Sequence, residues 1–377
     1  MKDAKRVYKS EIRSFRNKAN IQRDQNIAEV LSNNPGKFYR YIKSQRRSKV
    51  EQVDKLSVGD KVYVGKSVCN GFYDSMSSLK SLNFENLLND PNLGDQLIIY
   101  EHIMKLCESD KQLPPISMKD SQELLLKIKK NVRDHFGITA LHYLNAGHEG
   151  AIHFNFLLNA IIQDVSNATL QELNTVHGLI LYKGHNKDKT SHRSYRTIST
   201  CPFLAKCLDL YLRRLYHQIW DAEQAETQFQ GTGSNHELAS LLVTEVTQHS
   251  LFVSKKPVFI LALDAQSAFD RCLPQILSSY LFRIGIPRAA VNFLNNRFRN
   301  RKTVYEWEGT LMGPASDDIG VEQGGINSSD FYKLYNNIQL QDAQESQCGV
   351  DIESCIVAAI GQADDVLLVS NDIYELQ

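Results

Sequence analysis

An α+β fold, with an antiparallel sheet and packed helices behind a helical N-terminal region, is the class this sequence predicts. The apolar run Val258-Phe259-Ile260-Leu261-Ala262-Leu263 closes on Asp264 and reads as a strand. Near the C-terminus, Gln362-Ala363-Asp364-Asp365-Val366-Leu367 puts two adjacent carboxylates at the tip of an apolar hairpin. Elsewhere the apolar residues recur mainly at helical spacing, so the sheet is expected to be packed by helices.

In chain order, an N-terminal helix ends before Asn33-Asn34-Pro35-Gly36, where Pro and Gly make a turn. Residues 1–50 read as a basic helical extension. Residues 51–118 read as a connecting region, with loops at Asn89-Asp90-Pro91 and Leu113-Pro114-Pro115. Residues 119–175 are mainly helical, and Phe154, Leu157, Leu158, Ile161 and Ile162 are spaced for one buried stripe. Pro202 opens a helix with Leu204, Leu208, Tyr211, Leu215 and Ile219 as its buried stripe and Lys206, Arg213 and Arg214 on another face. Further boundaries divide 119–250 from 251–377, where strand, helix and strand alternate and Asn327-Ser328-Ser329-Asp330 forms an N-cap cluster.

Composition narrows the classes. With 377 residues and 42% hydrophobic content the chain can build two or three domains with real cores. No apolar stretch approaches the ~20 residues of a membrane span, so no membrane partner is expected. Met1-Lys2-Asp3-Ala4-Lys5-Arg6 lacks the apolar core of a signal peptide, which points to an intracellular rather than a secreted protein. Seven cysteines without a Cys-x-x-Cys pair fit reduced thiols. His148, His153, His185 and His192 have no cysteine or carboxylate set that would make a zinc site.

Lys and Arg balance Asp and Glu at 43 each, but the charge is unevenly spread. The first fifty residues are strongly basic. Lys37, Arg40, Lys43, Arg46 and Arg47 are interleaved with Phe38, Tyr39 and Tyr41, and such a mixture neutralises phosphates while its aromatics stack on bases. A solvated helical face with Phe38, Tyr39 and Ile42 packed inward is the competing reading. After Lys302, carboxylates far outnumber cations, and much of that acidity is expected at the surface. Asp317-Asp318 is assigned to a loop, and Asp270 to the cap of a helix entered at Arg271 to Leu273.

Asp264 and Asp364 can face each other across one strand spacing of about 5 Å. Two magnesium ions stabilising an in-line phosphoryl transfer need such a pair, because magnesium takes hard oxygen ligands and completes its octahedron with water and substrate phosphates. Asp365 points elsewhere by strand alternation and takes a supporting role near the ions or the primer.

The ordered trio of Asp264 to Asp270, Gln323-Gly324 and Ala363-Asp364-Asp365 resembles motifs A, B and C of reverse transcriptases, particularly those of non-LTR (LINE-like) retrotransposons. The resemblance implies right-hand fingers over residues 119–250 and a partial palm over 251–377, with no thumb in the chain. It implies Asp264, Asp364 and the carbonyl of Ala265 as ligands of two magnesium ions, with manganese as an alternative. Phe269 would exclude a ribose 2′-hydroxyl, and Gln323 and Gly324 would lie beside the nascent base pair.

Leu179-Ile180-Leu181-Tyr182-Lys183 and Ser194-Tyr195-Arg196-Thr197-Ile198-Ser199 look like the family's fingers segment, with Tyr182 and Thr197 in place of prolines. Arg196 and Lys183 would bind the incoming triphosphate. Gln228-Phe229-Gln230-Gly231 stands where relatives carry a Gly-Phe-Arg-like segment. The implied partners are an RNA template, a DNA primer and deoxynucleoside triphosphates, and the implied locations are nucleus and cytoplasm.

Family members continue past motif C, so the chain is read as a fragment of a larger retroelement polyprotein or a decayed copy. An RNA-dependent RNA polymerase and a non-catalytic RNA-binding remnant remain as alternatives. Phe269 in place of a small residue and Ala363 in place of glycine favour the reverse transcriptase.

Overall fold

The computed structural model describes residues 53–82, 90–110, 112–129, 132–163, 172–184, 187–230, 235–353 and 355–376. The basic segment with Lys37, Arg40, Lys43, Arg46 and Arg47, the helix expected before Asn33, and Asn89, His185 and Gly231 lie outside the described residues. The elements below belong to one unit, Lys55–Gln377.

A hairpin of β1 (Lys55–Val58) and β2 (Lys61–Val64) leads into α1 (Val68–Lys80). Four helices follow: α2 (Pro91–Cys107), α3 (Met118–Lys127), α4 (Ala140–Asn145) and α5 (Gly147–Gln163). Strands β3 (Thr175–Tyr182) and β4 (Tyr195–Thr200) precede α6 (Phe203–Ala222) and α7 (His236–Gln248). Next come β5 (Phe259–Asp264), α8 (Ala268–Arg271), α9 (Pro274–Arg283), α10 (Arg288–Arg299), β6 (Lys302–Trp307) and β7 (Thr310–Ser316). After α11 (Ser328–Glu345), a short pair of β8 (Val350–Ile352) and β9 (Cys355–Val357) leads to β10 (Ala359–Gln362) and β11 (Asp365–Ser370).

Two sheets organise this mixed α/β architecture. One is three-stranded and antiparallel throughout, in the order β10-β11-β5. The other has the order β4-β3-β6-β7 and departs from the expected antiparallel pattern, because β3 and β6 run parallel across the helices between them.

Alternation along β10 and β11 packs both faces of these two strands, whereas Ile260, Leu261 and Leu263 of the edge strand β5 are exposed. Ile360, Leu367 and Val369 pack with Val246 of α7, while Ala359, Val366 and Leu368 pack with Leu340 of α11. On the second sheet, Phe72 of α1 lies between the rings of Tyr195 and Trp307, at centroid distances of 4.7 and 4.5 Å. The largest apolar core is helical. In it Trp220 of α6 meets Phe331 of α11 edge to face at 5.4 Å.

The helical stripes were placed with small errors of phase. In α5, Phe154, Leu158, Ile161 and Ile162 are buried, but Leu157 is 38% exposed. In α6 the buried line runs through Leu208, Tyr211, Leu212, Tyr216 and Trp220, and Leu215 is 37% exposed. Tyr216 and Trp220 join the helical core, Trp220 against Phe331 of α11, and Leu215 is left at the rim.

Three further expectations need correction. Asp270 is not a cap: α8 begins at Ala268, Ser267 occupies the N-cap position in a left-handed conformation, and Asp270 lies inside the turn. Asn327 does precede α11, but its side-chain amide donates to the carbonyl of Asp209 instead of capping the helix. Asp317 lies in the loop after β7, as the loop assignment requires, yet it is buried. Glu322 and Asp330 are buried as well, so less of the C-terminal acidity is solvated than the sequence suggested.

Asp317 is the hub of a buried ionic cluster. Its Oδ2 accepts from Lys80 Nζ at 3.0 Å, Arg301 Nε at 2.9 Å and Thr303 Oγ1 at 2.7 Å. Burial pushes its carboxyl up, but Lys80, Arg301 and Thr303 outweigh burial and hold it below the usual carboxylate range.

A folded-state value depressed below the unfolded ~3.9 contributes stability above about pH 4, which is lost as pH falls through the lower folded value. The unfolding free energy from urea titrations is therefore expected to drop steeply below about pH 4. Asp317→Asn, which leaves two buried cations short of a counter-charge, should cost roughly 3–5 kcal/mol at pH 7 and flatten that acid limb.

Candidate active site

The site begins with a strand register. Asp264 on β5 pairs directly with Asp365 on β11, and Gln362 on β10 pairs with Asp365 from the other side. Asp364 thus falls in the two-residue turn Ala363-Asp364. Only the first turn residue has a positive φ, Ala363 at 61°, which is the pattern of a type II′ hairpin. Alanine is strained there, by roughly 1–2 kcal/mol.

Two side chains from other elements hold the turn. Gln228 Oε1 accepts from the Ala363 N–H at 2.9 Å, and Asn336 Nδ2 donates to the Ala363 carbonyl at 3.0 Å. The backbone beside Gln228 is tied to the same hairpin, since Phe229 N–H donates to Gly361 and Gly361 N–H to Thr227, both at 2.8 Å.

Asp264 and Asp364 both line a cavity of about 480 Å³, and both also line a second cavity of about 290 Å³. The two carboxylates stand on the divide between them. Ala265, Phe269, Gln323, Lys183 and Arg196 line the larger of these cavities, whereas Asp365 and Gly324 line neither. Tyr332, Tyr335 and Asn336 of α11 wall the smaller one. A still larger cavity, about 780 Å³ between α1 and β7, contains none of the residues expected from the sequence.

The carboxylates form a concentrated negative patch. Asp365 is pushed above its ordinary value by partial burial and by the charges of Asp364 and Asp264. Neither the Asp264 nor the Asp364 carboxylate has a hydrogen-bond or ion-pair partner among the described residues, which leaves their oxygens available. Such a donor set suits a hard divalent cation. Among the described residues no group of three or more His, Cys, Asp or Glu forms an all-protein cage, so water and phosphate oxygens would complete an octahedral shell.

Opposite these carboxylates the charge is positive. Lys183 follows β3; its N–H donates to the Ser194 carbonyl at 2.9 Å and its Nζ to the Arg193 carbonyl at 3.0 Å. Burial and repulsion from Lys187 and Arg196 lower its pKa, so cations are crowded at this wall. Arg196 extends from β4, which stays regular through Thr197 where relatives carry proline.

Phe269 stacks on Tyr332 with centroids 5.1 Å apart and planes at 19°. Gln323 is fastened by its carbonyl to Ser199 N–H at 2.8 Å. At Gly324, with φ 117°, a Cβ would lie 2.7 Å from the Ser199 carbonyl oxygen, so only glycine permits this close approach.

The reverse transcriptase (RNA-dependent DNA polymerase) family matches residues 185–377, just over half of the chain. This protein belongs to the reverse transcriptase family. Such domains are RNA-directed DNA polymerases in general, binding template, primer and deoxynucleoside triphosphates and using divalent metals. No curated protein matches the chain.

Sequence reasoning missed several residues of this reverse transcriptase site. His192 and Arg193 line the larger cavity, and Arg193 was within reach of a charge-pattern argument because it precedes Ser194-Tyr195-Arg196. Gln228 stands where the family segment carries glycine, so its family position gives no hint of a role; its hold on Ala363 depends on a contact 135 residues away. Asn336 sits on a helix face with no local signature. Replacing it as Asn336→Leu should cost about 1 kcal/mol of stability. It should also lower the single-turnover rate at saturating nucleotide by roughly tenfold, with the nucleotide KM little changed. Rapid-quench primer extension beside a thermal melt checks both.

Proposed function

We propose that this domain is the polymerase of a non-LTR (LINE-like) retrotransposon, copying RNA into DNA by two-metal nucleotidyl transfer. The observation that carries the reading is the shared cavity, where Asp264 and Asp364 meet Lys183, Arg196, Phe269 and Gln323. The spacing of Asp264 to Asp270, Gln323-Gly324 and Ala363-Asp364-Asp365 supports the non-LTR assignment. In this reading the β10-β11-β5 sheet belongs to the palm, while the β4-β3-β6-β7 sheet joins the fingers strands β3 and β4 to β6 and β7 from the stretch read as palm.

Bound magnesium, or manganese in its place, would supply charge neutralisation for the attacking primer 3′-oxygen and the departing pyrophosphate. Asp264 and Asp364 would hold it, joined by the Ala265 carbonyl. Arg196 and Lys183 bind the triphosphate, the first through a planar bidentate fork and the second as a point charge. Phe269, immobilised against Tyr332, fills the space a 2′-hydroxyl would need. Gln323 faces the templating pair and Gly324 allows the backbone to approach it. Asp365 raises the local negative potential from outside the cavity. The segment with Lys37, Arg40, Lys43, Arg46 and Arg47 contributes template RNA binding, on the strength of its mixed cations and aromatics.

Primer extension on poly(rA)/oligo(dT) with magnesium tests the assignment. Wild-type chain should incorporate dTTP, and Asp364→Ala should lose at least roughly 100-fold in rate. Equal use of ribonucleotides by the wild type would favour an RNA polymerase. No incorporation by chain shown to be folded by circular dichroism would favour a non-catalytic remnant.

A further inference from the structure

The buried ionic cluster lies directly behind the wall that carries Phe269. Lys80, the last residue of α1, is 2% exposed, and its ammonium serves two carboxylates. It lies 3.0 Å from Asp317 Oδ2 and 3.9 Å from Asp270 Oδ1. Asp317 is fully buried, whereas the Asp270 side chain keeps 23% of its surface exposed and Asp270 lines the larger of the two carboxylate cavities. Arg301 completes the cluster, with Nη2 donating to the Ile319 carbonyl at 2.8 Å and Nη1 lying 4.0 Å from Glu322.

A short strap of backbone connects the same groups. The N–H groups of Asp318 and Ile319 donate to the Lys80 carbonyl at 2.9 and 3.2 Å. Gly320 N–H donates to Cys272 and Val321 N–H to Phe269, each at 2.7 Å. A Cβ on Gly320 would stand 3.0 Å from the carbonyl oxygens of both Phe269 and Asp270, so the strap and the Phe269-Asp270 backbone are in closest contact. Phe269 is therefore fixed from both sides, by the strap at its backbone and by Tyr332 at its ring.

We infer that Lys80 is a specificity-positioning residue: by bridging Asp317 and Asp270 it sets the position of Phe269 and with it the width of the sugar slot. The inference rests on the nucleotide reading of the cavity. Lys80 itself does not line the cavity. It acts through Asp270 and the strap. Loss of its charge frees the Asp270 carboxylate to turn toward solvent in the cavity, and the Phe269 backbone relaxes with it. A shift well under 1 Å there admits a hydroxyl that the native slot excludes, because densely packed walls transmit small displacements.

Equilibrium binding decides the point. The probes are dATP and ATP in magnesium, on a dideoxy-terminated primer and RNA template, so no chemistry intervenes. Wild-type chain should prefer dATP, and Lys80→Met should lower the dATP-over-ATP binding ratio by roughly tenfold with unchanged circular dichroism. Lys80→Arg should keep the ratio near wild type. A merely structural lysine would lower the melting temperature of the methionine variant without moving the ratio, and that result overturns the inference while leaving the nucleotide site intact. If Lys80→Met does not fold, Asp270→Asn decides, since it removes the charge at the cavity end while leaving Lys80 and Arg301 paired with Asp317; an unchanged ratio there overturns the inference too. Wild-type chain that binds neither nucleotide, or both equally, overturns the nucleotide reading and the inference together.

Discussion

The register between β5 and β11 is the constraint on which the rest of the site depends. Opposing Asp264 to Asp365 leaves Asp364 in the turn, beside Asp264 and on the cavity side. A slip of one residue would exchange the two faces of the strand and carry Asp364 away. What prevents it is the alternation of apolar residues along β11, which commits Leu367 and Val369 to α7 and Val366 and Leu368 to α11. The apolar packing that stabilises the sheet therefore also aims the carboxylates. At the hairpin tip, a backbone conformation unfavourable for alanine is kept by hydrogen bonds from Gln228 and Asn336.

The two sheets meet through the residues between β7 and α11. From Asp318 to Gly324 the backbone is bonded in turn to Lys80, Cys272, Phe269 and Ser199. One short segment thus ties the end of α1, the stretch after β5 and the strand carrying Arg196 to one another. This explains why residues far apart in sequence form one cavity wall. It also explains the two tight glycines: Gly320 and Gly324 sit where backbone passes against backbone, with no room for a side chain.

Much of this was legible because strands with carboxylates at their ends leave a local pattern. The run ending at Asp264 and the hairpin around Asp364 and Asp365 could be read from apolar runs alone, and Lys183 and Arg196 from their place beside strands. The phases of α5 and α6 were less accessible, since several neighbours compete for one helix and only packing decides which residue reaches the rim, as with Leu157 and Leu215. The loop at Asp317 was legible, but its burial was not, for a related reason. A pair of aspartates between glycines and a proline looks solvated, and the cations that bury one of them come from distant segments. Gln228, Asn336 and Lys80 share that character, because each acts through a partner that no window of sequence contains.

The separation of Lys80 from Asp317, 237 residues along the chain, has a consequence for synthesis. At roughly 5–20 residues per second, Lys80 leaves the ribosome on the order of 10 to 50 s before the carboxylate that neutralises it exists. Throughout that interval α1 must keep a lysine in water that the finished protein places in its interior. Helix α1 therefore cannot settle into its final seat early, and the nascent chain stays uncommitted around it until the stretch after β7 has been translated.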